Sequence, residues 1–86
     1  MNELKDTVPP MLSEDYRERF KAEYWQLEIR RARLYEYIQR VEKGEQRPDP
    51  GNDMELLHIQ LSAMIHYAHV LQTRALKEGI RLEGDE

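Results

Sequence analysis

Three histidines, His58, His66 and His69, crowd one stretch of this 86-residue chain, with His66 and His69 one helical turn apart. Two imidazoles at that spacing, faced by a carboxylate such as Glu23 or Glu28, would be the start of a zinc or iron site. No second kind of ligand is fixed by the spacing, and the chain has no cysteine. The simpler reading has the imidazoles hydrogen-bonding across a crowded interface or pointing to water. No Gly-rich phosphate loop, nucleophile elbow or Ser/His/Asp set appears. The expectation is a protein that binds without catalysing, with no metal and no cofactor.

Arg74 offers more. It is the first basic residue after Arg47 and follows Gln72 and Thr73 at the end of an uncharged run. One role for it is to stabilise a helix C-terminus. In a rotationally symmetric assembly, however, copies of Arg74 converge on an axis, and clustered like charges tolerate this only with an anion between them. A multiply phosphorylated small molecule would suit. Tyr16, Tyr24, Trp25, Tyr35, Tyr37 and Tyr67 supply flat faces on which bases can stack, or else simply fill a core.

The elements that must hold these residues follow from periodicity. Leu56–Thr73 carries no Asp, Glu, Lys or Arg in a chain that is 35% charged. A helix of that composition is covered on most sides, and one other helix of the same chain cannot wrap it. Sister chains are the expected cover. Phe20, Tyr24, Leu27, Leu34, Ile38 and Val41 follow the three-four spacing of a coiled-coil seam, with Arg31 as its polar interior position; Met54, Leu57, Leu61, Met64, Ala68, Leu71 and Ala75 form a matching seam. A second row, Trp25, Ile29 and Ala32, either meets a further partner or covers the end of the hairpin.

The boundaries are predicted from caps and breakers. Ser13 is read as the N-cap of a helix over 13–43, Gly44 as its terminator, and 44–52 as a polar Pro-containing connection. Asn52, with Glu55 in a capping-box arrangement, opens a helix over 53–78, which Gly79 ends. Val8-Pro9-Pro10 favours an extended arm over 1–12 that packs on a neighbouring chain or frays; the tail 79–86 is read as loose beyond Ile80. The predicted fold is all-α: an antiparallel two-helix hairpin with an extended N-terminal arm, assembling into a helical homo-oligomer. Its arms of roughly 30 and 26 residues would be about 45 and 39 Å long.

A net charge of −4 argues against binding nucleic acid polymers, which rests on phosphate neutralisation by Lys and Arg. The basic residues of the first half alternate with acidic ones, the pattern of a solvated face from which a few could gather into an anion site. No leader-like start is seen, and the His and Gln residues of Leu56–Thr73 disfavour a membrane span. A cytoplasmic protein is expected.

Two segments carry a resemblance. Asp15-Tyr16-Arg17-Glu18-Arg19-Phe20 with Glu23, Leu27, Arg30 and Leu34, followed by LLHIQLSAMIHYAHVLQTRA over Leu56–Ala75, resembles a family of small phage proteins first named from a crAss-like gut phage. The recurring QLxAMxxYxxVLxxR pattern is met by Gln60, Leu61, Ala63, Met64, Tyr67, Val70, Leu71 and Arg74. That family includes an anti-CBASS sponge, a helical homohexamer that sequesters cyclic di- and trinucleotide immune signals without cleaving them in the cytoplasm of the infected host. The resemblance implies that Tyr16 stacks on a base, that Arg30 contacts phosphate with Arg31 and Arg33 as competitors, and that Arg74 reads a trinucleotide site. Thr73 and Tyr67 are further ligand-binding candidates. Two other readings predict different behaviour: a sponge for cyclic ADP-ribose-type signals, and a helical adaptor or inhibitor that covers its apolar stripes with a host protein.

Overall fold

The computed structural model describes residues 1–82, which are helical in every regular element and contain no strand. A 3-10 turn at Leu4–Thr7 leads into a short helix, α1 (Val8–Met11), and two long helices follow, α2 (Tyr16–Glu42) and α3 (Met54–Glu78). No helix among the described residues is long and apolar enough to cross a membrane.

Contacts between α2 and α3 run in opposite order along the chain. Tyr16 meets Glu78, Glu23 meets Tyr67, Tyr24 meets Gln72 and Glu42 meets His58. The seam residues Phe20, Tyr24, Leu27, Ala68, Leu71 and Ala75 are buried between the two helices and join Ile80 in one apolar cluster. Arg31, the polar interruption, is neutralised on its own helix by a two-pronged pair with Glu28, both contacts at 3.1 Å.

The N-terminal segment is a correction to the extended arm. Thr7 is fully buried and its hydroxyl donates to the Leu4 carbonyl at 2.7 Å, while the Asp6 carboxylate accepts from the Asn2 and Glu3 amides. Pro9 and Pro10 stand in the first turn of α1, where a missing N–H is no loss and the fixed φ suits a helix. The segment packs on the chain's own α2: Gln26 donates to the Met11 sulfur, Ala22 has no exposed surface, and Met1 and Asn2 line a cleft with Trp25, Ile29 and Ala32. The second apolar row of α2 is therefore met by residues of the same chain.

Both helix starts fall later than the caps expected. Ser13 accepts the Asp15 amide and closes the preceding turn, and Asp15 itself caps α2 by accepting from the Arg17 amide at 2.9 Å. Asn52 donates to the Tyr37 hydroxyl, which also accepts from the Asp49 amide, so Tyr37 pins the connection and Asp53 is left to cap α3 through the Glu55 and Leu56 amides. Asp53→Ala is expected to lower stability by about 1 kcal/mol, the usual cost of an N-cap, read as a fall in the urea midpoint at unchanged slope.

Gly79 takes the left-handed conformation at φ 73° and ends α3, after which the Ile80 amide bonds the Ala75 carbonyl at 2.9 Å. The start of the predicted loose tail is held. Beyond Ile80, which is buried in the core cluster, Leu82 packs against that cluster and the Trp25 indole donates to the Leu82 carbonyl at 2.8 Å. The rest of that tail, 83–86, lies outside the described residues.

Candidate functional site

Helix α3 carries two seams. The first, from Met54 to Ala75, faces α2. The second, Leu56, Ile59, Ala63, His66, Val70 and Thr73, repeats at three and four residues on another side, and every member is exposed. Leu56, Ile59 and Val70 are 60%, 58% and 43% exposed. An apolar seam of this length facing water is costly unless something covers it. Gln60, Tyr67 and Arg74 stand seven residues apart along one border of it, on the side nearer α2.

On α2 a matching row, Tyr16, Glu23 and Arg30, also repeats at seven residues and so shares a face of that helix. Where the rows meet, Arg74 and Tyr16 touch: the guanidinium donates to the Tyr16 hydroxyl at 2.8 Å, and that hydroxyl donates in turn to Glu78 Oε1 at 2.8 Å. Arg74 Nε lies 3.3 Å from Glu78 Oε2, and its guanidinium carbon sits 5.0 Å from the centroid of the Phe20 ring. Arg17 reaches the Gly79 carbonyl at 2.9 Å and so secures the C-terminal end of α3. About two turns back along α3, the Tyr67 hydroxyl donates to Glu23.

These contacts set the protonation of the group. The hydrogen bond to Glu78 pushes the Tyr16 phenol above its ordinary value, and the bond to Glu23 does the same for Tyr67. Desolvation works against charge on Arg74, but Glu78 and Tyr16 outweigh it and raise its pKa. With all three raised, at neutral pH Arg74 stays charged and the two phenols stay neutral.

Of the residues implicated by resemblance, the structure brings Tyr16 and Arg74 into contact and sets Tyr67 on the same border. Thr73 lies beside Arg74 in the exposed seam. Arg30 shares the Tyr16 row but stands two heptads away, roughly 21 Å at 1.5 Å per residue. It makes no hydrogen bond or ion pair among the described residues. Arg31, its nearest competitor, faces a separate cleft of about 300 Å³ with Glu28, Ala68, His69 and Gln72. Glu23, considered from the sequence as a carboxylate facing the histidines, meets Tyr67 instead, and Glu78 is a member of the face that the sequence reading did not include. The one sequence signal for Glu78 is its position four residues after Arg74, one helical turn.

The histidines do not converge. His58 pairs with Glu42 at the opposite end of the hairpin, 2.5 Å away, while His66 lies in the exposed seam and His69 on the Arg31 cleft. Among the described residues no three His, Asp or Glu side chains are placed to hold a metal ion. A second cleft, about 510 Å³, opens between Tyr24, Leu76, Ile80 and Leu82 and is mainly apolar.

Compared with known protein families, the chain matches over residues 14–77 the family described as Sequestin. No curated protein and no solved structure matches it.

Proposed function

The chain belongs to the Sequestin family, and from that membership we propose that it is a sponge: a homo-oligomer that binds a cyclic di- or trinucleotide signal and withholds it from its effector, breaking no bond. The reading is carried by one observation, the Tyr16–Arg74 pair on the border of the exposed α3 seam. If sister chains cover that seam, the pair lies at the mouth of a subunit interface. The aromatic ring offers stacking and the guanidinium offers paired donors to phosphate oxygens.

Assembly also accounts for Arg30. Arg30 lies two heptads from Tyr16 on the same chain and is far from Arg74, so in the assembly it would supply a phosphate contact to a ligand stacked on another protomer's Tyr16. A hexamer, with several such interfaces, would offer repeated pockets at high effective abundance. Thr73 lies in the seam itself and would contribute a hydroxyl at the Arg74 pocket. The oligomer acts in the cytoplasm of a phage-infected cell, where the signals are made.

Calorimetric titration with a panel of cyclic di- and trinucleotides, with cyclic ADP-ribose as the competing ligand class, is expected to give micromolar or tighter binding by at least one di- or trinucleotide. Heat denaturation of the complex should return that ligand intact. A panel that produces no binding, or a ligand recovered cleaved, overturns the proposal.

A further inference from the structure

Glu78 stands where a helix disfavours it. A carboxylate in the last turn meets the negative end of the helix dipole, and an arginine four residues before a glutamate is the weaker order for such a pair. Yet both of its oxygens are engaged, one by the Tyr16 hydroxyl at 2.8 Å and the other facing Arg74 Nε at 3.3 Å. Its two oxygens occupy two of the donors that a ligand phosphate would use, the phenolic hydroxyl and the guanidinium Nε–H.

We infer that Glu78 is a specificity-determining residue: an internal anion that fills the Tyr16–Arg74 site and must be displaced by any phosphate entering it. The inference rests on the sponge reading for its purpose but concerns only anion entry at this site. A tethered carboxylate competes at the high effective concentration of an intramolecular partner. A small anion with one point of attachment loses that competition. A ring carrying two or three phosphates, held by other residues of the pocket as well, displaces it. A protein meant to capture a scarce cyclic signal would thereby ignore the abundant phosphates and mononucleotides around it.

The surroundings support a displaceable group rather than a structural one. Glu78 is a terminal residue of α3, its side chain is 35% exposed, and the end of the helix is already secured by Arg17 on the Gly79 carbonyl and by the Ile80 amide on Ala75. Its movement breaks no buried contact.

Inorganic pyrophosphate is the probe, titrated calorimetrically at fixed ionic strength into the wild type, E78Q, E78D and the double variant R74A/E78Q. E78Q keeps the size of the side chain and removes its charge. It is expected to bind pyrophosphate at least about fivefold more tightly than the wild type, while R74A/E78Q loses that gain. E78D, which is charged but shorter, should fall between wild type and E78Q. Equal or weaker binding by E78Q, a gain that survives R74A, or no binding by any variant overturns the inference. Loss of the sponge reading would show differently, as failure of the cyclic nucleotide panel while the pyrophosphate series still behaves as described.

Discussion

Val70→Glu is expected to break the proposed assembly while leaving the monomer folded. Val70 is a member of the exposed α3 seam and is 43% exposed in the single chain, so a glutamate there meets water in the monomer and costs it little. Between sister chains the same carboxylate would be buried without a partner, and an unpaired buried charge costs about 3–5 kcal/mol. At 1.4 kcal/mol per factor of ten, this weakens association by at least about 100-fold. Sedimentation velocity should show the wild type as a discrete oligomer and V70E as a monomer or dimer at the same concentration, with unchanged helical circular dichroism. A wild type that sediments as a monomer would leave the seam uncovered and remove the pocket walls with it. An oligomer that survives V70E would place the interface elsewhere, with the Leu76 cleft as the next surface to test.

That seam was legible only in part from the residues. The absence of charge between Leu56 and Thr73 raises the expectation of a cover for this helix, and the period of Met54, Leu57, Leu61, Met64, Ala68, Leu71 and Ala75 identifies the side that meets α2. Both are local properties, and helical spacing reports them directly. The cap positions slipped because Ser13, Glu14 and Asp15, or Asn52 and Asp53, are neighbouring residues with similar capping chemistry; the choice is made by Tyr37, which takes Asn52, and by the turn that takes Ser13. The N-terminal helices are hidden by the usual association of proline with extended backbone, although the first helical turn accommodates it. The carboxylates of the candidate site were illegible for another reason. Glu23 meets Tyr67, and Glu78 meets Tyr16, across a gap of more than forty residues in sequence, and such pairing depends on the register of one long helix against the other.

The neighbouring residue tests the opposite property. Leu71 is 1% exposed and lies in the cluster with Phe20, Tyr24, Leu27 and Ala75, so Leu71→Ala removes a buried side chain between helices that cannot fully close on the gap. Such truncations cost about 2–5 kcal/mol. A domain of this length has a total stability of roughly 4–13 kcal/mol at the usual value per residue, so the loss is a large share of the whole. The urea midpoint should fall accordingly, with L71A partly unfolded at physiological temperature when dilute. Its response to concentration separates two sources of stability: association linked to folding makes the midpoint rise with protein concentration by mass action. In the wild type that rise should be clear, and in L71A it should persist, because the second seam on the far side of α3 is untouched. In the double variant L71A/V70E the rise should vanish and the remaining helix should melt without cooperativity. A midpoint independent of concentration in the wild type would mean that the hairpin and its N-terminal segment are sufficient alone, and that the apolar seam is not shielded by copies of the chain.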